Sequence, residues 1–112
     1  MSLKANKSYL LDERARLGDR IRQIEDFLGE NPAKYVTVRE IGGKKYCYLK
    51  FRKDGKYTSE YFGKESGIDI DQIESEMEAL RERRGKAKAQ LKIAKSNLVV
   101  IDKQLRMIEK VL

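Results

Sequence analysis

The chain has 112 residues, 38% charged and 40% apolar, with a net charge of +7; this fits one domain, or one domain with an extension, built around a narrow core. It has no histidine and one cysteine, Cys47. The commonest general base and metal ligand is therefore missing, and an intrachain disulfide is excluded, so the expectation is a non-enzyme in a reducing, cytoplasmic setting.

The spacing of Leu10, Leu17, Ile21, Ile24 and Leu28 predicts a helix over 7–29. Ser8 or Asn6 would cap its start, and Gly29 with Pro32 would end it. From 35 to 63 the period falls to two, which predicts three strands, YVTVREI, KYCYLKFRK and KYTSEYFG, joined by turns at Gly42-Gly43 and Asp54-Gly55. Two-residue turns would set Val38 beside Cys47, Val36 beside Leu49, Tyr48 beside Tyr61 and Cys47 beside Phe62. One face then carries Val36, Val38, Cys47, Leu49, Phe51 and Phe62, and needs an apolar cover. The other carries Tyr35, Thr37, Arg39, Tyr46, Tyr48, Lys50, Arg52, Tyr57, Ser59 and Tyr61.

Residues 69–112 predict one long helix. Ile73, Met77, Leu80, Arg84, Ala87, Leu91, Ala94, Leu98, Ile101, Leu105, Ile108 and Leu112 alternate spacings of four and three, the heptad pattern of coiled-coil packing. Asp69 and Gln72 fit a capping box, and the heptad phase runs through Gly85 unchanged. The expected fold class is α+β, an antiparallel, coiled-coil-like helical hairpin with an inserted three-stranded antiparallel β-meander, all one domain over 1–112. Helices of these lengths span about 35 and about 65 Å, so the first should cover only half of the second. Leu91, Leu98, Ile101, Leu105, Ile108 and Leu112 would then lack a partner in their own chain. Because a soluble monomer does not leave such a seam bare, they predict a homodimer.

Chemistry is sparse elsewhere. Cys47 points to the apolar face, where a thiol is usually inert packing. Glu60 has no second carboxylate at useful spacing, and IGGKK lacks the spacing of a phosphate-binding loop. No cofactor or metal is expected. No apolar run approaches a membrane span, so no membrane partner is expected either.

Positive charge gathers in two places. Residues 32–56 carry eight basic and two acidic side chains, and 81–95 carry seven and one. The second cluster, with Arg81, Arg83, Lys88, Lys92 and Lys95, reads chiefly as a solvated helix flank. The first coincides with the tyrosine face. There Arg39, Tyr46, Tyr48, Lys50, Arg52, Tyr57 and Tyr61 combine ring surfaces for bases with cations for phosphates, and Lys53 and Lys56 flank the Asp54-Gly55 turn. The expected function is nucleic-acid binding, as an accessory of a mobile or defence element. The alternative is an adaptor whose sheet face docks a protein, since tyrosine and arginine also favour protein interfaces and tyrosine is a good strand residue in any case.

Tyr46, Tyr48, Leu49, Arg52, Gly55, Lys56, Ser59, Tyr61, Gly63 and Lys64 form the pattern Y-x-Y-L-x-x-R-x-x-G-K-x-x-S-x-Y-x-G-K. It resembles a motif in small uncharacterised bacterial and archaeal proteins with helical flanks, a resemblance that implies a shape and no activity. The strand triplet is loosely similar to the arm-type DNA-binding sheet of tyrosine recombinases, which implies DNA as the partner. In outline, a helical hairpin with a β insertion is also similar to prefoldin subunits.

Overall fold

The computed structural model describes residues 2–112. Helix α1 (Leu3–Glu30) leads into strands β1 (Lys34–Ile41), β2 (Lys44–Lys53) and β3 (Lys56–Lys64), a short 3-10 turn (Glu65–Gly67), and helix α2 (Ile70–Val111). The strands form one antiparallel sheet in the order β1-β2-β3. This is the expected α+β arrangement, two helices flanking a β-meander. The described chain divides into two compact units: one holds the residues up to Leu28 together with Ala87–Leu112, the other Gly29–Lys86. No described helix is long and apolar enough to cross a membrane.

In the helical unit α1 pairs antiparallel with the C-terminal half of α2. Leu17 and Ile24 of α1 and Ala94 and Leu105 of α2 are buried, Leu105 to 2% exposure. Arg20 donates to Gln90 at 2.8 Å, and Arg14–Asp102 (3.7 Å) and Lys95–Glu25 (3.9 Å) bridge the helices. The bridges are exposed and contribute about 0–1 kcal/mol each, whereas each buried leucine contributes about 1.5–3 kcal/mol. The apolar seam, not the charges, holds this pair together.

That pairing corrects the expected division of labour. Leu91, Leu98, Ile101, Leu105 and Ile108 are buried or half-buried against their own chain, and only Leu112 stays exposed, just past the helix. The expectation had α1 beside the first half of α2. Instead that half belongs to the unit of the sheet, and α1 covers the second half. The seam therefore gives no ground for a dimer. The first helix also starts earlier than 7: Ser2, rather than Ser8 or Asn6, accepts a hydrogen bond from the Ala5 N–H at 3.1 Å, and the helix continues to Glu30.

In the other unit both hairpins close with two-residue turns. Asp54 (φ 52°) and Gly55 (φ 77°) have the positive φ values that a tight hairpin needs, as do Gly42 and Gly43. The register follows: Val36 faces Leu49, Val38 faces Cys47, and Tyr48 faces Tyr61. Cys47 and Leu49 are buried at the centre of the covered face, with Ile73 of α2 buried in the same unit. α2 starts as expected at Asp69, whose carboxylate accepts from the Gln72 N–H at 3.1 Å, but the Gln72 side chain turns forward to Glu76 and leaves the capping box half made.

One pairing departs from expectation. A bulge between Cys47 and Tyr48 sets Cys47 opposite Gly63, not Phe62. Phe62 is the extra residue and is 48% exposed, so it does not join the covered face. Gly63 permits the kink through φ 152°.

Candidate functional site

Strand alternation places side chains of one parity on the outer face. From β1 these are Tyr35, Thr37, Arg39 and Ile41; from β2, Lys44, Tyr46, Tyr48, Lys50 and Arg52; from β3, Tyr57, Ser59, Tyr61 and, past the bulge, Lys64. Five cations share the face with five tyrosines. The carboxylates of the strands, Glu40 and Glu60, have the opposite parity: Glu40 faces Lys45, and Glu60 lies 3.8 Å from Lys34. Sequence and register therefore give a face of one sign.

The rings and cations are packed against each other. Tyr61 packs against two rings of β2, tilted at 50° to Tyr46 (centroids 6.3 Å apart) and edge-on at 60° to Tyr48 (5.6 Å), a favourable geometry. The Arg39 guanidinium lies 5.0 Å over the Tyr48 ring, and that of Arg52 lies 4.8 Å over Tyr57. At exposed sites such contacts contribute about 0.5–1 kcal/mol each, enough to bias two long side chains toward the face. Thr37 donates to the Tyr48 carbonyl at 3.4 Å. Tyr57 is 82% exposed and Tyr61 55%, while Tyr46 and Tyr48 are half-buried in the cluster.

Seven of the expected site residues thus lie together: Arg39, Tyr46, Tyr48, Lys50, Arg52, Tyr57 and Tyr61. Lys53 and Lys56 do not join them. They oppose each other beside the Asp54-Gly55 turn with the parity of the covered face. Lys64 had been missed, because parity counted without the bulge sends it to the other side; the only sequence signal was Gly63 in YFGK. Lys44, Lys45 and Lys64 line a cleft of about 480 Å³ with Glu65 and Ser66.

The second basic cluster is largely structural where it meets the sheet. Arg81 donates to the Lys34 carbonyl at 2.7 Å and lies 4.6 Å over the Tyr35 ring, and Arg84 donates to the Asn31 carbonyl. On the covered side, burial pushes the Cys47 thiol pKa up, and the negative charges of Glu65 and Glu74 add to the rise. The thiol is therefore a poor nucleophile. Among the described residues no group of three His, Cys, Asp or Glu side chains could hold a metal ion.

Fold and site together define a helical hairpin carrying a β-meander whose outer face is cationic and aromatic. No protein-family model, no characterised protein and no solved structure matches the chain.

Proposed function

We propose that the chain is a non-enzymatic nucleic-acid-binding protein acting through the outer sheet face. The observation that carries this reading is the sorting of charge. Arg39, Lys44, Lys50, Arg52 and Lys64 share one face with five tyrosines, and the acids of the strands fall on the other. A polyanion is repelled by each carboxylate left in place, whereas a protein-docking surface needs such sorting only when its partner is itself strongly acidic.

The test is fluorescence anisotropy with labelled duplex DNA, single-stranded DNA and RNA, for wild type and for Tyr48→Ala/Arg52→Ala. Binding should be lost in the double variant. With about three phosphate contacts, affinity should also drop about 20- to 40-fold between about 50 and about 200 mM salt. Absence of binding, or binding indifferent to the substitutions, would overturn the reading and turn the search to a protein partner for the same face.

We also propose that the chain self-associates, through a different stripe from the one expected. Ile93, Val100 and Met107 recur every seven residues on α2 and are 62%, 53% and 68% exposed. Exposed Asn97, Gln104 and Val111 alternate with them, so the stripe has the a/d spacing of a helix seam; it flanks the α1 seam, with Val100 beside a groove lined by Leu17 and Met107 beside one lined by Tyr9 and Leu10.

A further inference from the structure

We infer that the ligand of the sheet face is a single strand of nucleic acid lying along β3, with one base on Tyr57 and another on Tyr61. This rests on the nucleic-acid reading above and adds the form of the ligand. Tyr57 and Tyr61 are the most exposed tyrosines of the face that belong to one strand. They share a side of β3 with Ser59 between them, so their attachment points are separated by about 13 Å. Arg52 covers one side of the Tyr57 ring. A base stacked on the other side would complete a sandwich of guanidinium, phenol and base. Tyr61 meets Tyr46 and Tyr48, both on β2, at 50° and 60°, contacts that steady the ring without laying another ring parallel to it.

The cation between the two rings is Lys50, directly opposite Ser59 in the register. It stands where the backbone phosphate of a strand running from Tyr57 to Tyr61 passes. The order along the face is thus ring, ammonium, ring, and a separation of about 13 Å suits bases two nucleotides apart with the intervening phosphates beside Lys50. In a duplex, both faces of every base are covered by neighbours, so exposed rings gain no stacking surface. A duplex is read instead by bidentate Arg, Asn or Gln at base edges. The outer face has no Asn or Gln, and both of its arginines lie over tyrosine rings. A stacking platform with interleaved cations is how proteins hold unpaired strands with little sequence preference.

The chain has no tryptophan, so its emission comes from its six tyrosines and reports stacking directly. The experiment titrates the full chain with oligothymidine and with a duplex of matched length, reading tyrosine quenching and the anisotropy of a labelled oligonucleotide. Oligothymidine should bind tighter than the duplex and quench the emission. Tyr57→Ala and Tyr61→Ala should each weaken single-strand binding about 5- to 100-fold. Tyr57→Phe and Tyr61→Phe, which keep the ring and lose the hydroxyl, should stay within about 3-fold of wild type. Tighter binding of the duplex, or single-strand binding unmoved by the alanine variants, overturns the inference and leaves the nucleic-acid reading intact. Binding of neither probe overturns both.

Discussion

Gly63 is the residue on which the edge of the sheet turns. Its φ of 152° is open to glycine and strained for other residues, and a Cβ built there would lie 3.0 Å from Ile68 Cδ1. Strain and crowding act together, so Gly63→Ala should lower stability by about 1–3 kcal/mol. Urea denaturation read by circular dichroism would measure it; an unchanged midpoint would mean that the bulge is not required. The substitution should also weaken ligand binding, because the bulge is what brings Lys64 opposite Tyr46. The bulge was hidden in the sequence for a physical reason. Alternation gives parity only while pairing is regular, and what breaks it here is a fit between Gly63 and a side chain five positions on. Tyr48, Lys50, Arg52, Tyr57 and Tyr61 lie on the hairpin side of the bulge, where parity is undisturbed, and so were legible from the Asp54-Gly55 turn alone; Arg39 and Tyr46 were legible from alternation through the Gly42-Gly43 turn.

Among the elements, α2 is the longest and carries one internal weak point. Gly85 lies within a helix running from Ile70 to Val111, and a Cβ there would meet nothing within 4 Å. Gly85→Ala should therefore stabilise the protein by about 1 kcal/mol, the difference between the two residues in helix propensity. A shift of that sign in the urea midpoint is expected; destabilisation would show that the helix needs local freedom at Gly85. The heptad pattern made the helix and its covered side readable, since every seam position from Ile73 to Ile108 is buried or half-buried. It did not reveal the partner. A stripe of leucines states that a face is covered, and its period is the same whether the cover is a sheet, an earlier helix or a second molecule. Pairing Leu91–Ile108 with α1 was therefore a matter of tertiary choice, decided by which half of α2 shares a unit with the sheet.

At the scale of the whole molecule, self-association depends on whether the Ile93, Val100 and Met107 stripe can match itself. Parallel pairing about a two-fold axis sets like against like: Asn97 meets Asn97 of the second copy, Gln104 meets Gln104, and Val100 meets Val100. Amides then bond to amides, and apolar side chains meet apolar ones. Antiparallel pairing would set a positions against d positions, burying amides against valine, isoleucine or methionine without partners, at about 1–3 kcal/mol for each group left unsatisfied. Parallel pairing is thus the arrangement the stripe favours. It predicts that Val100→Cys forms an interchain disulfide on mild oxidation, while Val99→Cys, equally exposed but off the stripe, does not. Cys47 does not confuse the readout, because it is buried and its thiol pKa is raised. Val100→Glu should give a monomer by light scattering at micromolar concentration, with its circular dichroism unchanged because the side chain is already exposed in the single chain. If wild type is itself monomeric there, or if both cysteine variants crosslink alike, the stripe is not a dimer seam. A dimer would present two tyrosine faces to one nucleic-acid chain, and the second contact would be governed by local concentration, not by the affinity of a single face. Val100→Glu should therefore weaken binding to long oligonucleotides more than to short ones, although it touches no residue of the sheet.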